Sequence, residues 1–243
     1  MILFAKKEDK EQIIKLWNEA FGDSEEYIKK ALKVFLDYMI LYKIDNEVCA
    51  MLTALPVSLG EKRGRYIYGV ATFSKYQNKG IAGELLEYVK QYIDRGDEDF
   101  CVLVPAGESL FGYYKKHGFE TVRCIDRVSQ IHGNNIVPVR ISASEYFIRR
   151  KKYVDNLIEW SEQMLEKIRK LYNGEFYGTD NAVFFCVKDG GNLYIKELLG
   201  DKSELGRLSG DYKTVNAVTI GNEPFAMVYP KEYKNCYFNI AID

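Results

Sequence analysis

Histidine and tryptophan each occur only twice in the 243 residues. With just His117 and His132 available, a reactive thiol would have few activating partners. The five cysteines, Cys49, Cys101, Cys124, Cys186 and Cys236, stand singly, with no CxxC spacing and no neighbouring histidine. That pattern excludes a disulfide frame and a zinc site and reads as reduced core thiols of a cytoplasmic protein, with no metal expected. No glycine-rich GxGxxG run and no GK[ST] run is present, which removes the dinucleotide and P-loop fingerprints. The most apolar stretch, Val34 to Ile44, is interrupted by Asp37 and Lys43 and is too short to span a bilayer. The opening MILFAKKEDKEQ places its apolar residues ahead of its charges and has no long apolar segment, so no signal peptide is expected. Neither charge sign dominates, with 34 Lys and Arg against 35 Asp and Glu. The densest basic run, Arg149-Arg150-Lys151-Lys152, reads as a solvated helix start or linker. Neither a nucleic-acid nor a membrane partner is expected.

What is present is a core. Hydrophobic residues make up 47% of the chain, enough for one large domain or two small ones. Met1 to Ala5 reads as a short strand. Ile13, Leu16, Trp17 and Ala20 fall on one helical face after Glu8-Asp9. A second stripe, Ile28, Ala31, Leu32 and Phe35, comes after the N-cap candidates Asp23-Ser24. Tyr38 to Ile44 and Glu47 to Ser58 make a hairpin turning at Asp45-Asn46, with Pro56 expected to bend or end its second strand. Gly64 to Phe73 is a further strand, and a helix opens at Gly80 with Leu85, Leu86, Val89 and Ile93 on its apolar side. Phe100 to Val104 (strand), Ser109 to His117 (helix) and Phe119 to Val128 (strand) complete the order β-α-α-β-β-β-α-β-α-β. The fold class this implies is α/β, a layered mixed sheet.

Gly133-Asn134-Asn135 and Pro138 mark a boundary, giving domains at 1–132 and 145–243. The second begins with a helix expected over Val154 to Leu171. It continues with a hairpin of Ala182 to Lys188 and Asn192 to Leu199 around Asp189-Gly190-Gly191, and a short helix at Ser203 to Leu208. Strands are expected at Val215 to Ile220, Phe225 to Tyr229 and Cys236 to Ile242.

The chemistry concentrates at Tyr66 to Leu86. An apolar strand runs into Gln77-Asn78-Lys79, and a helix starts at Gly80. The unpaired amides and the dipole at a helix start attract an anion. Gly80 leaves room for oxygens to approach the backbone. Lys79 and Gln77 can add a charge and a donor.

These residues resemble the GNAT superfamily of N-acetyltransferases. Gln77-Asn78-Lys79-Gly80-Ile81-Ala82 fits the family's Gln/Arg-x-x-Gly-x-Gly/Ala loop. Tyr68-Gly69-Val70-Ala71-Thr72 is similar to its fourth strand, and Leu110 to Phe119 looks like its Phe-Tyr-x-x-x-Gly-Phe segment. The resemblance covers about residues 1–130. It implies an acetyl-CoA-dependent N-acetyltransferase acting on a small primary amine or amino group. The loop Gln77 to Ala82 would hold the coenzyme A pyrophosphate, and Val70, Ala71 and Thr72 would pair with pantetheine. The second half resembles the accessory half of bacterial two-domain members, a degenerate copy. Leu199-Gly200-Asp201-Lys202-Ser203 lacks the loop pattern there, so no second coenzyme site is assigned.

By the same resemblance Tyr114 stands where the family has its general acid. A phenol near pKa ~10 suits a thiol leaving group near ~8.5. No general base declares itself, since Tyr66 and Tyr68 occupy the strand where a carboxylate would serve. Glu108 reads as solvated and His117 as a helix C-terminus, and the terminal carboxylate of Asp243 is a further candidate. Tyr66, Tyr68, Tyr113, Tyr172 and Tyr177 are candidates for an aromatic pocket, though most read as packing. The alternative reading is a non-catalytic acyl-CoA-binding or sensing protein.

Overall fold

A computed structural model describes residues 1–129, 138–208 and 212–240. His132, the Gly133-Asn134-Asn135 boundary and the Asp243 carboxylate lie outside the described residues. The chain divides into two compact units, one of Met1–Glu120 with Met227–Tyr233, the other of Thr121–Ala226 with Lys234–Asp243.

The first unit runs β1 (Ile2–Phe4), α1 (Lys10–Phe21), α2 (Glu25–Phe35), β2 (Met39–Ile44), β3 (Glu47–Leu59), β4 (Lys62–Thr72), α3 (Ile81–Asp94), β5 (Phe100–Leu103) and α4 (Glu108–Lys116). Local chemistry explains its joints. Ser24 Oγ accepts from Tyr27 N and caps α2. Asp45 and Asn46 both take positive φ, as a two-residue hairpin turn requires. β1, β2, β3 and β4 pair antiparallel in that order. β5 lies parallel to β4, the geometry of a strand–helix–strand crossover. Residues 227–229 then pair antiparallel with Leu103, Val102 and Cys101 of β5.

Pro56 does not end β3, which continues to Leu59 with Pro56 opposite Arg65. The β2 pairing stops at Thr53, so past it β3 has no ladder bond on that side for a proline to break. α3 covers one sheet face, burying Leu85, Leu86 and Val89 against Leu52, Ala54 and Ile67. Each such side chain contributes about 1.5–3 kcal/mol. The opposite face carries Tyr66 and Tyr68. The Tyr68 ring packs edge-on at 5.9 Å from Trp17 of α1 and 5.7 Å from Phe35 of α2.

The second unit contains β6 (Glu120–Ser129), β7 (Val139–Arg140), α5 (Ala143–Arg150), α6 (Glu162–Leu171), β8 (Glu175–Gly178), β9 (Ala182–Asp189), β10 (Asn192–Gly200) and the larger part of β11 (Val215–Tyr229). Its sheet runs β7-β8-β9-β10 antiparallel, then β11 parallel to β10, with β6 beside β11. It is α/β, as expected, but three local expectations change. The helix over Val154 to Leu171 begins only at Glu162, behind a Ser161 cap that accepts from Met164 N. Leu157, Ile158 and Trp160 are buried from an extended segment instead, with Leu157 bridged to Tyr237. Val215 to Ile220 and Phe225 to Tyr229 form one continuous strand, β11. Among residues 236–240 only the Tyr237 bridge is strand-like.

The basic run is solvated only in part, with Lys151 and Lys152 exposed just past a helix end rather than at a helix start. Arg150 closes α5, fully buried, and its Nε and Nη2 donate to Glu197 at 2.6 and 2.9 Å. The Tyr146 hydroxyl donates to the same carboxylate. A charge of either sign alone in that interior would be costly, which is why the two are found as a pair.

All five cysteines are buried and unbridged. Burial pushes the Cys124 thiol up to about 11 and the Cys236 thiol to about 12, so neither is a ready nucleophile. Among the described residues no helix is long and apolar enough to cross a membrane. None of them gathers into a group that could hold a metal ion.

Candidate active site

The site begins where β4 outruns its neighbour. β5 pairs with β4 only from Gly64 to Ile67, whereas β4 continues to Thr72. From Tyr68 onward the β4 groups on that side therefore have no strand partner among the described residues. A bulge marks the same stretch, since two β4 residues, Gly69 and Val70, lie opposite the single β3 residue Leu52 between the pairs Thr53–Tyr68 and Met51–Ala71. Gly69 takes φ 61°, which a side chain would oppose. Val70 and Thr72 are half-buried, while the Ala71 side chain is buried.

The loop then turns back to open α3. Gln77 Nε2 donates to the Thr72 carbonyl at 3.1 Å and so ties the strand end to the loop. Its amide thus supports the loop from within rather than standing free as a donor at the rim. Asn78 and Gly80 both adopt left-handed backbone, φ 60° and 80°. Nothing lies within 4 Å of where a Cβ on Gly80 would stand, so space is open over the helix start. The first intrahelical bond runs from Glu84 N to the Gly80 carbonyl at 3.0 Å. Ahead of it the Ile81, Ala82 and Gly83 amides have no helical acceptor. The Ile81 side chain is buried in the core, and only its backbone serves the opening. Lys79 is exposed, its ammonium 5.2 Å from the Tyr76 ring centre.

Gly83 has a different task from Gly80. A Cβ there would stand 2.7 Å from His117 Cε1, so its bareness lets the end of α4 pack on α3. His117 caps α4, with Nδ1 3.4 Å from Glu87 Oε1 and its ring 4.8 Å from Tyr113. That is a packing role. Tyr114 is buried beside Phe119, at 6.0 Å between ring centres, and belongs to the same core cluster as Ile81 and Leu85. Burial, with the neighbouring Tyr113 second, pushes its hydroxyl up to about 12. A phenol so placed keeps its proton across the neutral range and can give it but not take one.

The five tyrosines named as candidates for an aromatic pocket are divided between the two units. Tyr66 and Tyr68 stack at 6.3 Å on the first unit's sheet, and Tyr113 lies on α4. Tyr172 and Tyr177 belong to the second unit. Tyr68 is packed among aromatic rings, and its hydroxyl is held well above the usual phenol range, first by burial and then by Tyr27, Tyr66 and Asp23. Trp17 Nε1 donates to Asp23 Oδ2 at 2.8 Å, which fixes the head of the α1–α2 connection beside that ring.

A layered α/β domain with a half-paired strand running into an open helix start has the kind of backbone that can receive an anion. The comparisons with known proteins make that reading specific. Residues 2–122 match the acetyltransferase (GNAT) domain family. A GCN5-related N-acetyltransferase from Kribbella flavida superposes with a TM-score of 0.69 at 15% identity, over 94% of this chain and 70% of that one. Another from Anabaena variabilis gives 0.65 at 16% identity, over 94% and 72%. One from Sphaerobacter thermophilus gives 0.58 at 12% identity, over 98% and 97%. At such identities the likeness concerns the fold. No curated protein sequence matches significantly. The chain belongs to the GNAT acetyltransferase family. It is an acyltransferase, and the acyl donor of this family is acetyl-CoA.

Proposed function

We propose that the chain is an N-acetyltransferase that transfers acetyl from acetyl-CoA to a small primary amine or amino group, with its single donor site in the first unit. The observation that carries this reading is the opening at Gly80, where bare backbone, helix-start amides without a helical acceptor and a strand end with no partner on its β5 side among the described residues lie together. Those features fit coenzyme A. The amides of Ile81, Ala82 and Gly83 would donate to pyrophosphate oxygens, aided by the helix dipole and by Lys79 at the rim. Gln77 and Asn78 shape the loop. Val70, Ala71 and Thr72 would offer backbone groups to the amides of the pantetheine arm, as a strand edge does to an added strand.

When bound, acetyl-CoA supplies an activated acetyl group as a thioester. Tyr114 keeps its proton at Oη for the departing sulfur. Its raised proton affinity makes it a weaker acid but ensures that it is loaded at neutral pH. At the end of β10 in the second unit, Gly200 instead lies against the backbone of Asn181 and Ala182, which supports an accessory role for that unit.

The test is thiol release from acetyl-CoA against a panel of primary amines, with Tyr114→Phe as the control. Turnover is expected with at least one amine. The variant should lose about 100-fold in kcat, within the usual range for a general acid, while binding acetyl-CoA as before. A Tyr114→Phe enzyme with unchanged kcat would remove the phenol from the mechanism.

A further inference from the structure

Tyr114 sits in the last turns of the nine-residue helix α4, and its hydroxyl has no hydrogen-bond partner among the described residues. Its direction is therefore set by what holds the end of α4. That end is gripped from two sides. His117 faces α3, pressed onto Gly83. The other side is held by Tyr229, from the segment Met227–Tyr233 that belongs to the first unit although it lies more than a hundred residues further along the chain.

The Tyr229 ring lies 6.0 Å from the Phe119 ring, and its Cε2 is 3.4 Å from where a Cβ on Gly118 would stand. Its hydroxyl donates to Asp94 Oδ1 at 3.0 Å, and the Lys90 ammonium sits 4.5 Å over its face. Phe119 passes this support on. Its ring packs edge-on against Tyr114, and its amide donates to the Tyr114 carbonyl at 3.2 Å, alongside that of His117 at 3.0 Å. Gly118, between them, takes φ 84°. The rings Tyr229, Phe119 and Tyr114 thus form a continuous chain of contacts, tilted at the first joint and edge-on at the second.

We propose that Tyr229 is a positioning residue for acetyl transfer, holding the Phe119 turn so that the Tyr114 hydroxyl keeps its direction. This rests on the reading of Tyr114 as proton donor. Tyr229 lies outside the residues that match the family domain, so the matched segment does not contain everything that orients its own acid. A misplacement of about 1 Å at a reacting group can cost up to ~100-fold in rate, so a ring without any contact to substrate can still govern turnover.

The experiment is a double-variant cycle on the full chain, made of Tyr229→Ala, Tyr114→Phe and both together, with Tyr229→Phe as the conservative control. The readouts are kcat for thiol release from acetyl-CoA, with water and with a reactive panel amine as acceptor, and the acetyl-CoA Kd. Tyr229→Ala is expected to lower kcat roughly tenfold, within that positional range, with Kd little changed. Tyr229→Phe should restore most of the rate, since it keeps the ring contacts and loses only the Asp94 bond. In the Tyr114→Phe background, Tyr229→Ala should cost nothing further, because two residues acting through one group are not additive. Losses that multiply in the double variant, or a Tyr229→Ala enzyme with unchanged kcat, overturn the proposal. If Tyr229→Ala does not fold, Tyr229→Leu, which keeps apolar volume under Phe119, takes its place in the same cycle. Tyr114→Phe alone decides the acid itself, so failure of that reading is seen separately from failure of the positioning role.

Discussion

In each unit a glycine of positive φ stands where the chain has left or leaves a strand, Gly80 at the far end of the loop after β4 and Gly200 as the last residue of β10, and the two do opposite things. Past the loop that follows β4, Gly80 caps a 14-residue helix and faces open space. At the end of β10, Gly200 has φ 106°, and a Cβ on it would stand 2.2 Å from the Asn181 carbonyl oxygen and 2.8 Å from Ala182 Cα. There the bareness lets two backbones touch. The next amide, Asp201 N, is already used by the Asn181 carbonyl at 3.0 Å, and Ser203 N by Asp201 Oδ1 at 2.8 Å. The chain then continues as a 3-10 helix, Lys202–Leu208, rather than an α-helix. The same residue type thus leaves a helix start open in one unit, the anion cradle proposed above, and makes a sealed junction in the other. The difference lies in whether the amides beyond the glycine have partners.

Substitution at the two glycines breaks this comparison most sharply. Gly200→Ala should cost about 3 kcal/mol or more, because neither the backbone oxygen nor the left-handed φ can yield cheaply. It should leave the acetyl-CoA Kd unchanged, and urea unfolding with calorimetric titration reads both. Gly80→Ala should behave inversely. Its methyl meets no protein atom, so the stability loss is limited to the left-handed strain of about 1–2 kcal/mol. The acetyl-CoA Kd should rise about tenfold as the cradle fills, which is ~1.4 kcal/mol of binding. If Gly80→Ala bound as well as the parent, the cradle would not be where the pyrophosphate sits. Gln77→Ala is the mildest of the three. It removes one partly exposed hydrogen bond to Thr72, worth about 1 kcal/mol, and should weaken acetyl-CoA binding a few-fold with kcat at saturation unaltered.

In the first unit nearly every element could be read in advance, because its signals are local. The Ser24 cap, the Asp45-Asn46 turn and the Gly80 helix start are each decided within a few residues. The order of strands and helices to β6 came out as expected for that reason. The helix start within 77–82 and the helix that carries Tyr114 could also be placed in advance, through a motif whose spacing is short. Gly69 offered a signal, a glycine inside a strand pattern, which points to a bulge. Tyr229 offered none, since nothing in residues 225–233 hints at a partner in β5 or at Phe119. In the second unit, Leu157, Ile158 and Trp160 continue the helical spacing of α6, yet they are buried from an extended chain. Apolar periodicity reports which residues are buried, and only neighbouring segments decide the backbone that buries them. Arg150 was hidden for the same reason, its partner Glu197 being 47 residues away.

By itself the sequence determined the layered α/β character, the position of the glycine-led helix start and the tyrosine beyond it, because caps, turns and alternation act over a few residues. Tertiary structure alone decided that β4 outruns β5 and that the amides after Gly80 are open while those after Gly200 are sealed. It also decided that a strand distant in sequence completes the first unit's sheet and packs Tyr229 against Phe119. Each of those depends on hydrogen bonds and contacts between residues distant in sequence, and no short pattern encodes which distant group will arrive.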